Sequence, residues 1–315
     1  GANQDWAYLS FQIDDPGKLR VRKLAVYAKP GQPGSGGAFV RRAVVTVQTD
    51  PLILQTLVNR AANLGESAAA LGKALDEVFG PLVPDPALSL PKKLSAVIQG
   101  AMADAKQYGS LVLLSRTHPA VALALGLAHA EPVGAGATTF EVREFDVGAG
   151  EDLGVMGRVT VTAGLPVVLP APGRPVEVPD GSAKGHLNAR LRWGTPVGLR
   201  RLSLLHFGYD VYRAPRVWAE GLNLHVTPPE ASVLAAMAEQ GLNGVKRINR
   251  APALAARVMT EAEAVNVVLD PKTAFLNDDN GLSGETPVPF KDGDQFYYFV
   301  AARDLLGRNG VLSPG

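Results

Sequence analysis

Apolar and polar residues alternate at a spacing of two in several short runs of this chain. Leu9, Phe11 and Ile13 make one run, and Leu187, Ala189, Leu191 and Trp193 make another. Period two places such side chains on one face of a β-strand. The runs end alike, on Ile13-Asp14-Asp15-Pro16 and on Trp193-Gly194-Thr195-Pro196. The same order of landmarks then recurs. Leu19-Arg20 answers Leu199-Arg200, and Ala25-Val26-Tyr27-Ala28-Lys29-Pro30 answers Asp210-Val211-Tyr212-Arg213-Ala214-Pro215. Val44 to Val47 and Leu222 to Val226 both read as strands, and each leads into a helix start, Thr49-Asp50-Pro51 or Thr227-Pro228-Pro229-Glu230. Asp50 or Thr227 can cap free amides, proline suits a first turn, and Thr227 with Glu230 has capping-box spacing. Five landmarks in one order point to an internal duplication.

The duplication divides the chain into modules 1–162 and 163–315, with Gly164 to Pro179 as the joint and first edge strand of the second. Each module carries a helical insertion at the same point, about residues 50–126 in the first and 228–264 in the second. In the first, Leu54, Leu57, Ala61, Leu64, Ala68, Leu71, Leu75 and Val78 recur at spacings of three and four, a helical stripe over three heptads. Pro81, Pro84 and Pro86 break the chain, and a second helix is expected over Lys92 to Tyr108, completing a hairpin. The second module should hold shorter helices around Glu230 to Gln240 and Pro252 to Ala264. These helices are expected to pack on each other or on their own sheet, with a docking surface for another chain as the alternative. The expected fold class is mainly β: two β-sandwich modules, each with an α-helical insertion.

Trp193 and its neighbours carry a family resemblance. Leu187 to Trp193, followed by Pro196, resembles the second strand of a fibronectin type III domain, with its core tryptophan. Gly208 to Arg213 resembles the third strand, and Asp292 to Asp304 the sixth, leading into Leu305-Leu306-Gly307. Through the repeat the resemblance extends to the first module, where Thr139-Phe140-Glu141-Val142 matches the late strand and Ile13 stands in place of the tryptophan. The tyrosine usual before the sixth strand is Phe296 here. The resemblance implies a scaffold, spacer or binding role, commonly in exported or surface proteins, and carries no active site across.

Composition narrows the rest. The 315 residues fit about two domains at roughly 150 residues each. Apolar residues at 46% against 19% charged provide packed cores. The net charge of +1 provides no field for a polyanion, so no nucleic-acid partner is expected, and the basic clusters Arg20, Arg22, Lys23 and Arg41, Arg42 read as solvated sheet face. The absence of cysteine excludes disulfides, zinc ribbons, iron–sulfur sites and thiol nucleophiles. No apolar run reaches the ~20 residues of a membrane span. Gly1-Ala2-Asn3 lacks an initiator Met and the charged and apolar regions of a signal peptide, so the chain is expected to be a processed protein or an excised piece.

Candidate chemistry is sparse. None of His118, His129, His186, His206 and His225 pairs at the i, i+4 spacing of a helical metal site. His186 and His225 fall on strand positions expected to face solvent, and His118 precedes Pro119 at a helix start. Gly148 to Gly154 follows a strand but leads into another strand, so it lacks the helix terminus that holds a pyrophosphate. Gly31 to Gly37 reads as a flexible hairpin loop, and Gly281 to Gly284 falls short of a nucleophile elbow. The strongest polar cluster is Asn277-Asp278-Asp279-Asn280-Gly281, with Glu285, Asp292 and Asp294 beyond. Asp278, Asp279 and Glu285 are oxygen ligands of the kind calcium takes, though without EF-hand spacing, and such runs are also ordinary turn chemistry. Asp14 and Asp15, adjacent on a strand end, point to opposite faces and make a poor carboxylate pair.

The expected role is therefore a non-catalytic structural or binding segment of a larger bacterial exported or surface protein, without a cofactor and with a protein or glycan partner. The alternatives are an accessory region of a multidomain extracellular enzyme, such as a polysaccharide hydrolase or protease, and a virion or tail-fibre component. Binding is expected at the first module's helical hairpin or between the modules.

Overall fold

The computed structural model describes residues 4–11, 23–146, 148–165, 168–178, 189–201, 207–249, 252–253, 272–278, 280, 290–291, 293–304 and 306–315. The chain divides into two compact units, Gly1–Val167 and Val168–Gly315. Among the described residues there are thirteen strands, all in antiparallel sheets, and seven α-helices. The fold is thus mixed and sheet-rich, not mainly β, because helices occupy nearly as much chain as strands.

The first unit has strands β1 (Trp6–Ser10), β2 (Leu24–Pro30), β3 (Val40–Val45), β4 (Ala128–Pro132), β5 (Ala137–Asp146) and β6 (Glu151–Thr162). A two-stranded sheet, β1-β4, lies over a four-stranded sheet of order β3-β2-β5-β6. Alternation explains the core between them. Ala7 and Leu9 of β1, with Phe11 just beyond, meet Leu24, Val26 and Ala28 of β2 and Phe140 of β5. Each large apolar side chain buried there stabilises by ~1.5–3 kcal/mol.

The opposite face of the four-stranded sheet is closed by polar side chains. Tyr27 donates its hydroxyl proton to Asp152 at 2.8 Å, and Arg143 donates to Asp152 at 2.9 Å and to Glu141 at 2.6 Å. Arg158 also donates to Glu141, and the Arg143 guanidinium lies 4.2 Å from the Tyr27 ring centre. Burial works to raise the Glu141 carboxyl, but the hydrogen bonds from Arg158 and Arg143 outweigh it and hold the group below its ordinary value. The Gly31 to Gly37 loop is tied down, since Lys29 donates to the carbonyls of Pro33 and Ser35 at 2.8 and 2.7 Å.

Among the described strands, β6 forms one edge of this sheet and pairs with β5 alone. Its register shifts twice, leaving Leu153 and Met156 as extra residues opposite β5. Leu153, Val155, Met156 and Val159 are all exposed.

Between β3 and β4 run five helices: α1 (Pro51–Asn63), α2 (Ala68–Phe79), α3 (Leu90–Ala103), α4 (Ala105–Leu114) and α5 (Pro119–Ala124). The expected continuous stripe from Leu54 to Val78 is two helices. Gly65 turns the chain at φ +99°, and Ser67 then caps α2 by accepting from the Ala70 amide at 3.2 Å. The expected helix over Lys92 to Tyr108 is likewise split. Asp104 is extended, and its carboxylate accepts from the Lys106 amide at 2.7 Å to start α4. The helices do pack on one another, and α1 and α5 also meet β4.

The second unit has strands β7 (Val176–Glu177), β8 (Ala189–Gly194), β9 (Phe207–Pro215), β10 (Lys246–Arg247), β11 (Thr273–Asp278), β12 (Phe296–Asp304) and β13 (Asn309–Leu312). Its sheets have orders β11-β8-β7 and β10-β9-β12-β13. Trp193, Leu191, Tyr209, Val211 and Val300 fill the core between them. The other face of the four-stranded sheet packs on helices α6 (Arg216–Gly221) and α7 (Ala231–Gln240) through Tyr212, Phe299, Ala219 and Leu234. Strand β9 is consequently buried on both faces.

Three expectations fail in this unit. Leu222 to Val226 is a turn and not a strand, because Asn223 adopts φ 54° and the Leu224 amide closes back on Ala219. Thr227 and Glu230 form no capping box, since Glu230 is itself the N-cap and its carboxylate accepts from Ser232. The helices also do not enter at the point used by the first unit. There they follow β3, the third strand of the unit and second of its four-stranded sheet in chain order, whereas α6 and α7 come between β9 and β10. Of the expected helix from Pro252, only Pro252 and Ala253 are described, and Ala253 bridges Tyr209 in antiparallel fashion. Residues 254–264 and Ile13 lie outside the described residues. No helix among the described residues is long and apolar enough to cross a membrane.

Candidate functional site

In the first unit, β3 and β4 are edge strands of different sheets among the described residues, and a groove opens beside them. Helix α1 runs along that opening. Its start is defined by Asp50, whose carboxylate accepts from the Leu52 amide at 2.8 Å, and by Pro51 in the first turn. The helix buries Leu54, Val58 and Ala61 and leaves a groove of about 420 Å³ in front, lined by Val45, Thr56, Leu57, Arg60, Leu123 and His129. Leu52 is 80% exposed at the rim, Ile53 44% and Val44 37%.

Two polar arrangements sit at this opening. The β2–β3 register places Ala43 opposite Val26 and Arg41 opposite Tyr27, so Arg42 is the extra residue of a bulge. The bulge aims Arg42 across to the other sheet, where its Nε lies 3.2 Å from Glu131 Oε1 on β4. His129, two residues earlier on the same strand, brings Nε2 to 3.1 Å from Glu131 Oε2. An ionised carboxylate only accepts, so Nε2 carries the proton of that bond. Burial works to raise the Glu131 carboxyl, but the bonds from His129 and Arg42 prevail and hold it below its ordinary value.

The second arrangement is Arg60. Its Nη1 donates to the Ala130 carbonyl at 3.1 Å, and among the described residues no carboxylate pairs with it. The groove thus has largely aliphatic walls, the paired Glu131 lies beside it through His129, and Arg60 is a lining cation without a counter-charge among the described residues. That is the composition of a binding site.

A second cluster, in the other unit, absorbs one of the candidate calcium ligands. Asp278 ends β11 and is buried. Its Oδ2 accepts from Arg213 of β9 at 2.7 Å and from the Tyr298 hydroxyl of β12 at 3.0 Å, and its Oδ1 accepts from the Asn280 amide at 2.9 Å. Arg213 also donates to the Asn280 side chain and lies against both the Phe290 and Phe296 rings, 4.9 and 4.8 Å from their centres. Phe296, where the resemblance has a tyrosine, is thus a stacking partner for a cation. Burial and the neighbouring Asp278 raise the Tyr298 hydroxyl. With both oxygens engaged, Asp278 ties the two sheets together. Asp279, Glu285 and Asp292 lie outside the described residues, and the Asp294 carboxylate accepts from the Lys291 amide at 2.8 Å. Among the described residues no group of three or more His, Asp or Glu side chains is placed to hold a metal ion.

The other sequence candidates take structural positions. His118 precedes α5 as expected, and its Nδ1 lies 2.9 Å from Glu66, whose second oxygen accepts from the Ala120 amide at 2.8 Å. His225 sits in the turn after α6 and stacks on Tyr297 at 5.0 Å, so it is partly buried and not on a solvent-facing strand. The Tyr297 hydroxyl donates to Glu220 at 3.1 Å. Gly148 to Gly154 leads from β5 into β6, strand to strand. Asp14, Asp15, Arg20, Arg22, His186, His206 and Gly281 to Gly284 lie outside the described residues.

The sequence pattern did not single out the groove. Its one visible signal is the pair Leu52-Ile53, apolar residues in the first turn of α1 that fall off the stripe through Leu54 and Ala61.

No protein-family model, curated protein or solved structure matches the chain.

Proposed function

We propose that the chain is a non-catalytic structural or binding segment of a larger exported or surface protein, built from two fibronectin type III-like β-sandwich modules that each carry helices. The observation that carries this reading is strand order. The pairing β1-β4 over β3-β2-β5-β6 has the same order as β8-β11 over β10-β9-β12-β13, with β7 added beside β8 in the second unit. Trp193 lies on the second described strand of its unit, Tyr209 to Arg213 on the third and Phe296 to Asp304 on the sixth, the positions that the resemblance gives them. Two antiparallel sheets over one core are the architecture of that family.

The charged clusters favour the same reading. Glu141, Asp152 and Asp278 each answer one or more arginines across strands, an arrangement that holds sheets together. Sandwich scaffolds of this kind present binding residues on the segments between strands. Here the groove beside α1 is such a place.

The test uses the full chain, incubated with a panel of soluble polysaccharides and with an unfolded protein substrate. Retention of a glycan or protein without new reducing ends or new amino termini is the expected result. Multiple turnover of any substrate overturns the reading.

A further inference from the structure

The groove of the first unit has the size of a small-molecule site, about 420 Å³ against the usual ~300–1,000 Å³. Its charges define what fits. Glu131 is already answered by Arg42 and His129. Arg60 donates only to a backbone carbonyl among the described residues, which leaves most of its five N–H donors for other acceptors. A carboxylate, like a phosphate, meets a guanidinium in two-point fashion, and of the two the singly charged carboxylate suits one cation among aliphatic walls. The walls beside Arg60 are aliphatic, from Val45, Leu57 and Leu123, and exposed Leu52 and Ile53 extend them to the rim.

Strand addition is disfavoured at this opening. The extra residue at Arg42 breaks the even row of donors and acceptors along β3. On the facing strand, Arg60 occupies the Ala130 carbonyl.

We propose that this groove binds a small amphipathic monocarboxylate, its carboxylate on Arg60 and its aliphatic tail against Leu57, Leu123 and Val45. The inference rests on the reading of the chain as a binding segment and names the ligand of that site. Arg60 selects the anion, since a cationic head would be repelled. Glu131, beside the groove and already paired, does not repel the anion, and Arg60, the one lining guanidinium and without a counter-charge among the described residues, sets the ligand's charge at one.

The experiment titrates the full chain with octanoate, octanol and octylamine, following amide shifts by NMR. Octanoate is expected to bind saturably, shifting the amides of Leu57, Leu123 and His129, and to bind at least tenfold tighter than octanol. Octylamine should be weakest. Arg60→Gln should bring octanoate down to the level of octanol, whereas Arg60→Lys should keep part of the preference. Thr56→Phe, a substitution on an exposed face of α1 that fills the groove, should remove binding of both at an unchanged melting temperature. If Arg60→Gln does not fold, Thr56→Phe decides. No saturable octanoate binding, equal affinity for octanol, or binding that survives Thr56→Phe overturns the proposal. A glycan or protein retained elsewhere on the chain while octanoate fails would discard this ligand and leave the binding-segment reading in place.

Discussion

Trp193 and Tyr209 meet edge to face between the two sheets of the second unit, their ring centres 5.4 Å apart and their planes at 82°. Tyr209 donates its hydroxyl proton to Thr195 Oγ1 at 2.8 Å, just beyond the strand that carries Trp193. One contact thus joins β8 to β9 by both a ring and a hydrogen bond. Trp193→Ala should cost ~3–5 kcal/mol, as deletion of a large buried aromatic does. Trp193→Phe should cost less, because it keeps a ring and removes an indole N–H that lacks a partner among the described residues. Denaturant unfolding followed by circular dichroism measures both, and an unchanged midpoint for the alanine variant rejects the packing.

The Arg213–Asp278 pair should behave as a buried ion pair. Removing one partner by Arg213→Met leaves a buried carboxylate without its counter-charge, held only by the Tyr298 hydroxyl and the Asn280 amide among the described residues, and should destabilise by ~3–5 kcal/mol. The double variant Arg213→Met, Asp278→Leu should recover most of that loss. A double-mutant cycle reads the coupling, and simple additivity of the two single effects would count against it.

Acid should weaken the first unit. Glu131, Glu141 and Asp152 are all held below their ordinary values in the folded chain. A depressed carboxyl contributes stability that is complete above its unfolded value, about 4. That stability is lost as pH falls through the lower folded value. The unfolding midpoint should therefore drop from about pH 5 downward. Glu141→Gln should flatten part of the slope, and an identical slope in that variant refutes its share.

Base should act on the second unit. Burial pushes the Tyr209 and Tyr212 hydroxyls up to about 12. A raised tyrosine adds stability that is complete below its ordinary value near ~10 and is lost as pH rises through the folded value. Ultraviolet titration should show these two tyrosines ionising late, together with loss of near-ultraviolet circular dichroism. Early ionisation of all seven tyrosines, with the fold intact, would contradict their burial.

What could be read in the chain was whatever local pattern determines. The alternation through Leu191 and Trp193 located β8, Asp50-Pro51 located the start of α1, and Glu230 to Gln240 located α7 to within a residue. The helix breaks at Gly65 and Asp104 went unread because an apolar stripe continues across a kink. Asp278 looked like a metal ligand because its partner, Arg213, is 65 residues away. The groove depends on the bulge at Arg42 and on Arg60 reaching Ala130, and both exist only once strands and helix have docked. Insertion points were misjudged for a similar reason. Strand β10 is two residues long and leaves almost no trace in the pattern, so the helices before it were assigned one strand too late.

Strand β6 has a consequence for how the molecule behaves in concentrated solution. A straight border with apolar side chains such as Val155 and Val159 exposed would template strands from other molecules, and threads would grow from it. The extra residues Leu153 and Met156 buckle that border, so its backbone groups no longer form an evenly spaced row. The two irregularities thus act as a colloidal safeguard. Deleting both should leave a folded protein whose solutions turn viscous or cloudy at concentrations where the intact chain stays clear.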